Sequence, residues 1–496
     1  MVPRCVSIAV ACLTSTACTL ANGDAPACET ACGSSAGSSV TGLSSGGAAD
    51  SMAVDTTAMA SGDADTTAAT SAATGLATTG GESGSSDGTD TGGTTAPSYR
   101  CGDATLPMMD PSFAAPIELQ SSGGTGGTAA GDLDGDGRDE LVAQILFRIY
   151  DLGDEGWQSH QPLANLDGRG DRFAGDLEIG DINGDGAPDI VVPDSDNSGT
   201  SGALSWFENP GSLDGQWVEH VVETFDGQGE GNVVTHLSEL EVGDIDGDGW
   251  LDLVVRDISH GVWVVMQQTG GGGFHPRTFI PVLPREGLAL WDPDLDGRLD
   301  ILLNGVWLQT PEDPVRGDYV VRPIVGMEDW YAPDASTNSI RDYASKVLAA
   351  DFDGDGRVDV LIDNAEELAG NSPNKPRGIA VYLQPEDPIA DTWTEVVITD
   401  LHWAWHTMMV ADYDFDGTPD VLAAISAVGT DDAADEITLF LNDGSGQAFA
   451  PQTVSTAHTV YQGIIADPDA DGDCDLLAPD HFNNGPVRYF ENTTVP

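Results

Sequence analysis

The stretch DLDGDGRDELVA (132–143) returns six more times along the chain. It reads DINGDGAPDIVV from Asp181, DIDGDGWLDLVV from Asp244, DPDLDGRLDILL from Asp292, DFDGDGRVDVLI from Asp351, DYDFDGTPDVLA from Asp412 and DPDADGDCDLLA from Asp467. Successive copies start 49, 63, 48, 59, 61 and 55 residues apart, so one supersecondary unit is used seven times. Positions 1, 3, 5 and 9 are Asp or Glu in 27 of 28 cases, and the exception, Asn183, is also an oxygen donor. Position 6 is always glycine (Gly137, Gly186, Gly249, Gly297, Gly356, Gly417, Gly472), as a tight turn with positive φ requires.

Oxygens at odd positions of a tight loop converge on a hard cation. The candidate metal set takes positions 1, 3, 5, 7 and 9 of each loop. In order these are Asp132, Asp134, Asp136, Arg138 and Glu140; Asp181, Asn183, Asp185, Ala187 and Asp189; and Asp244, Asp246, Asp248, Trp250 and Asp252. Then come Asp292, Asp294, Asp296, Arg298 and Asp300; Asp351, Asp353, Asp355, Arg357 and Asp359; Asp412, Asp414, Asp416, Thr418 and Asp420; and Asp467, Asp469, Asp471, Asp473 and Asp475. The first six positions look like an EF-hand, but the Glu of position 12 is absent: Ala143, Val192 and Val255 stand there in the first three copies. Positions 10–12 are apolar and largely branched, so a buried strand follows the loop instead of a helix.

Two further strands follow each loop. One resembles ALSWFEN (203–209), GVWVVMQ (261–267), IAVYLQ (379–384), ITLFLN (437–442) or VRYFEN (487–492). The other is led by an aromatic: Trp157, Trp217, Phe274, Tyr319, Trp393 and Phe449. With the strand entering each loop, the count is four antiparallel strands per unit. The expected fold is all-β, a seven-bladed β-propeller over 101–496. The last unit stops after its third strand, and the orphan segment PSFAAPIEL (111–119) supplies the missing aromatic-led strand, with Phe113 in the aromatic slot. Closure of blade seven by this segment removes the open sheet edge. Cys101 just before it and Cys474 in the last loop are then placed to form a disulfide.

The DxDGDGxxD loops followed by Leu/Val runs resemble FG-GAP/VCBS repeats, the propeller of integrin α-subunits and many bacterial surface proteins. The resemblance covers about 132–496. It implies Ca²⁺, up to seven ions, in the loop between the first and second strands of each blade. It also suggests a role in adhesion. The glycine usual at position 4 is Leu295, Phe415 and Ala470 in blades four, six and seven. A left-handed conformation there costs a non-glycine residue roughly 1 kcal/mol, so these three sites are expected to be weaker than those of blades one, three and five.

The rest of the chain says where such a ring works. Residues 1–17 read as a signal peptide, with Ser15 and Ala17 before Cys18. Cys18 resembles a lipoprotein acceptor, the only expected membrane attachment. Cys28 and Cys32 could pair in an oxidising compartment. Residues 18–100 continue as a Cys-containing start and a Gly/Ser/Thr/Ala/Asp linker, expected to be a flexible tether. The expected location is exported, either anchored to the outer membrane at the cell surface or extracellular. No apolar run is long enough to span a membrane as a helix. With 82 Asp+Glu against 18 Lys+Arg the formal net charge is −64, which excludes nucleic acid as a partner. Seven Ca²⁺ would take this only to −50, since −64 + 14 = −50.

On the face away from the loops, the starts of the inner strands carry Arg172, His236, Arg285, Tyr343, Trp405, His406 and Tyr461. A mouth lined by aromatics, His and Arg is a candidate ligand site for a protein or glycan. No nucleophile–base pair can be picked out, so enzymatic activity is left open and no catalytic residue is named. The leading expectation is an exported calcium-binding propeller acting as a surface-displayed ligand-binding or adhesion module. The alternatives are a carbohydrate lyase or dehydratase on the same ring, for which SWFENPG (205–211) and HVV (220–222) are the phrases of interest, and a structural surface component.

Overall fold

The computed structural model describes residues 101, 107–121, 126–143, 148–161, 175–195, 201–228, 234, 237–257, 261–269, 271–282, 286–303, 305–324, 346–363, 378–401, 405–426, 435–480 and 485–495. The signal, the tether, Cys18 and the Cys28/Cys32 pair lie outside the described residues.

All described regular structure is β. Seven four-stranded antiparallel sheets follow one another, each ordered from an inner to an outer strand. Blade one is Thr128–Gly131, Glu140–Ala143, Arg148–Gly153 and Gly156–His160. Blade six is Trp405–Ala411, Asp420–Ile425, Ile437–Asn442 and Phe449–Ser455. In both, as in the other five, the acidic loop joins the first strand to the second. The run after the loop is buried on both faces, with Leu141, Val142 and Ala143 each at most 2% exposed, because each central strand is covered by the blades before and after it.

The ring closes as the strand count requires. Ile117–Gln120 pairs antiparallel with Val487–Phe490, and Phe113 bridges Asn492. Blade seven is therefore built from both ends of the propeller: Ile464–Ala466, Asp475–Pro479 and Val487–Phe490 from one, Ile117–Gln120 from the other. Phe113 packs on Tyr413, with ring centroids 6.4 Å apart. Cys101 and Cys474 form a disulfide with Cα atoms 5.1 Å apart, so closure is covalent as well.

The aromatics leading the outer strands wedge the blades apart. Trp157 of blade one meets Tyr489 of blade seven edge-on at 4.8 Å. Trp217 packs with residues of blades one and two, and Trp393 with residues of blades four and five. One assignment changes. Phe274 does not lead the outer strand of blade three, which is Thr278–Ile280. It belongs to a small side hairpin, Gln267–Thr269 paired with Gly273–Phe274. The glycine pair Gly271–Gly272, both at positive φ, turns that hairpin and delays the outer strand.

Candidate functional site

The acidic loops share one geometry, visible in the first. The Asp132 carboxylate accepts the backbone N–H groups of Gly135, Asp136 and Gly137 at 2.7, 3.0 and 3.0 Å. Asp134 accepts Asp136 N–H at 3.2 Å, and Asp136 accepts Arg138 N–H at 3.0 Å. Each carboxylate is thus turned inward by the chain that follows it. Among the described residues, carboxylate groups with oxygens within 4.8 Å of one another include Asp132/Asp134/Asp136, Asp244/Asp246/Asp248, Asp292/Asp294/Asp300, Asp351/Asp353/Asp355 and Asp412/Asp414/Asp420. Leu295, Phe415 and Ala470 do adopt the left-handed conformation, at φ 55°, 58° and 56°.

The donor set suits a hard cation. Burial raises the Asp134, Asp246 and Asp353 carboxyls above the usual carboxylate value, and the neighbouring loop carboxylates add to the rise. In loop four Asp294 Oδ1 and Asp300 Oδ2, and in loop seven Asp469 Oδ1 and Asp473 Oδ1, are buried acceptors without a hydrogen-bond partner. Oxygens crowded in this way fit a divalent cation, which would offset the repulsion among them.

At position 7 the side chains make contacts of their own. Arg138 donates to Leu152 O at 2.8 Å, Arg357 to Gln384 O at 3.1 Å, and Trp250 lies against Gly184 of the preceding loop. Arg298 pairs with Asp296, and Thr418 Oγ1 donates to Asp416 at 2.6 Å. Ala187 has no side-chain donor, and Asp473 accepts Val495 N–H at 2.8 Å.

Position 9 also does more than face a cation. Asp252 accepts Ile245 N–H at 2.9 Å from its own loop and Gln267 N–H at 2.7 Å from beyond the third strand. Asp189 and Asp359 make the same pair of bonds. These acids are buried, and burial is the largest cause of their raised values: Glu140 to about 9, Asp252 to about 8 and Asp359 to about 7. Position 9 therefore ties loop, second strand and third strand together.

At the opposite mouth Arg172, His236, Arg285 and Tyr343 lie outside the described residues. Trp405 is not a mouth residue. It is 1% exposed, packs edge-on against Phe440 at 5.9 Å and donates its indole N–H to Leu401 O at 3.2 Å. The tertiary fold sends its ring into the core between blades. His406 and Tyr461 come together, with rings stacked at 4.2 Å and the His406 Nδ1 2.7 Å from Tyr461 O, but both are buried as well and present no open ligand surface.

The sequence reading missed most of the polar ring that His406 belongs to. Thr128, Asp176, Glu239, Glu286, Lys346, His406 and Gln462 stand four to six residues before the first Asp of their loops, one per blade. Inner strands of neighbouring blades touch, which brings these side chains around the axis. Thr128 Oγ1 donates to Gln462 O at 2.8 Å, Glu239 accepts Gly287 N–H at 2.6 Å, and His406 Nε2 lies 3.9 Å from Glu286. Burial alone would lower the Lys346 ammonium, but Glu239, Asp176, Glu286 and Asp363 reverse the sign and hold it above the ordinary lysine value. The available signal was a polar residue four to six positions before the loop in each repeat.

Residues 181–255 match the FG-GAP-like repeat family. No curated protein sequence matches the chain. Solved structures similar in fold include BBS1N in complex with ARL6DN, a crystal soaked with mercury (13% identity, TM-score 0.45, 78% of this chain and 97% of that one). Raptor of Chaetomium thermophilum matches at 12% identity and TM-score 0.42, over 78% of this chain and 30% of that one. The Dos1 propeller matches at 10% and 0.35, over 77% and 95%.

Proposed function

We propose that this chain is an exported, calcium-stabilised β-propeller that acts as a surface-displayed ligand-binding or adhesion module. The observation that carries the reading is the set of convergent acidic loops with orphaned carboxylate oxygens in loops four and seven. Positions 1, 3 and 5 would hold the ion in loops one, three and five, and positions 1, 3 and 9 in loops four and six. Bound Ca²⁺ supplies charge neutralisation at the turn and leaves the rest of the ring to recognition. A long polar segment between Cys18 and the propeller suits display at a distance.

Two measurements test this. Thermal unfolding of the purified full chain in millimolar Ca²⁺ should lie well above that in excess EDTA, with Mg²⁺ restoring little. An identical melting curve in Ca²⁺ and EDTA defeats the calcium reading. Surface protease accessibility and labelling of whole cells should find the propeller outside; a wholly cytoplasmic pool defeats the display reading.

A further inference from the structure

A cleft of about 730 Å³ opens on the rim between blades two and three. One wall is the outer strand of blade two, Val218–Phe225; the other is the side hairpin of blade three and the turn after it. Trp206 lies between them.

The cleft is built by specific local features. Gly272, at φ 74°, lies so close to Trp206 that a Cβ there would sit 2.6 Å from the indole Cζ2. Only glycine lets the hairpin tip close on that ring. His220 stacks on the indole at 4.2 Å and 13°, held by Glu208 2.8 Å from its Nε2. Along the outer strand the register slips: Ser205 faces Val221 and Leu204 faces Glu223, so Val222 is bulged. The extra residue returns Glu223 to the side of the strand that carries His220. There it pairs with Arg277, whose guanidinium lies 4.8 Å above the Phe225 ring.

The lining narrows the ligand class. Glu219, Glu223 and a chain of formal charge −64 repel anions. Imidazoles and carboxylates among the walls disfavour a wholly apolar ligand, which would leave them desolvated and unpaired. A cation competes with Arg277 and His220, which already pair with Glu223 and Glu208. A neutral polyol satisfies every wall. Its hydroxyls donate to Glu223 and accept from imidazole N–H, while a C–H face rests on Phe274 and Pro276.

We propose that the rim cleft between blades two and three binds a neutral saccharide of two to three rings. This rests on reading the protein as a binding module and names the ligand class. Imidazole and carboxylate set the hydroxyl pattern, and Phe274 supplies the stacking surface. His275 stands close enough to act electrostatically on Asp246 of the blade-three loop, so the cleft borders a candidate cation site.

The test is binding of the full chain, in Ca²⁺, to an immobilised panel of neutral di- to tetrasaccharides. It is followed by saturation-transfer NMR with the best of them. Retention by wild type, with at least tenfold weakening in Glu223→Gln and in Phe274→Ala, supports the site. Both side chains are partly exposed, but Phe274 also packs on the core between blades two and three, so its variant should melt somewhat lower while staying folded at the assay temperature. Glu223→Gln keeps an acceptor for Arg277 and separates lost recognition from lost folding. Absence of binding to the whole panel overturns the proposal, as do undiminished binding by both variants and preferential capture of a lysine-rich peptide by the same cleft. The Ca²⁺/EDTA melting shift scores the calcium reading separately, so either can fail alone.

Discussion

The side-chain amide of Asn442, at the end of the third strand of blade six, donates a 2.8 Å hydrogen bond to the carbonyl of Phe352 in the acidic loop of blade five. The backbone N–H of Asn442 donates to Asp420 at 2.8 Å, and Asp420 accepts Tyr413 N–H at 3.0 Å. One residue thus clips its own loop to the preceding blade's loop. Asn209 does the same to Leu133 O at 2.8 Å, and Gln384 to Pro293 O at 2.7 Å. These clips bind successive blades at the loop face, where few apolar groups are available.

Asn442→Ala should cost about 1–3 kcal/mol, because it leaves the buried Phe352 and Pro419 carbonyls unpaired. Asn209→Ala should cost a similar amount. Urea midpoints with unchanged slopes would show it. A change below about 0.5 kcal/mol in both would mean that water replaces the clip.

The three left-handed residues at position 4 should respond differently to glycine. Leu295 is 56% exposed, so Leu295→Gly mainly relieves strain and should stabilise by about 1 kcal/mol. Phe415 is 5% exposed, so Phe415→Gly relieves the same strain but loses a buried ring, and should destabilise by about 2 kcal/mol or more. Opposite signs in thermal unfolding are the expected result.

Positions 3 and 9 of one loop should separate metal binding from scaffolding. Asp246→Asn should reduce the Ca²⁺-dependent rise in melting temperature and leave the EDTA melting curve nearly unchanged. Asp252→Asn should lower both curves, because an amide cannot accept Ile245 N–H and Gln267 N–H with both of its heavy atoms. Equal curves for the two variants in EDTA would remove the scaffolding role.

The axial ring makes metal-free stability depend on pH. Asp176 is pushed up to about 7, first by burial, with Lys346 opposing and Glu239 adding to the rise. A folded-state value above the unfolded one means that the folded protein binds more protons between about pH 4 and 7, so stability falls as pH rises through that window. Urea midpoints in EDTA from pH 4.5 to 7.5 should decline more gently in Asp176→Asn. The difference from wild type isolates Asp176 from the loop acids, which titrate with the same sign.

The Cys101–Cys474 bond spans 373 residues, and loop-closure entropy alone assigns it a stabilisation of about 6 kcal/mol. Cys474→Ser should lower the unfolding temperature and expose segment 111–119 to protease before the rest of the ring. Protease sensitivity identical to wild type would show that strand pairing alone secures the closure.

The blade count, the strand order, the loop positions and the borrowed seventh strand were legible in the chain. Each rests on a local rule: glycine where φ is positive, oxygen at alternate positions, apolar runs after the turn. Even the left-handed strain at Leu295, Phe415 and Ala470 followed from position alone. Closure of the ring decided what no repeat could specify by itself. Trp405 has the composition of a mouth residue, but packing between blades turned it into the core. Phe274 sits in the expected aromatic slot, yet a glycine-turned hairpin moved it to the rim. Asp176, Glu239, Glu286, Lys346 and His406 are scattered polar residues in or just before the inner strands until seven blades bring them to one axis. Periodicity encodes each blade's own turns and faces, whereas contacts between blades depend on side chains about fifty residues apart that meet only in the finished circle.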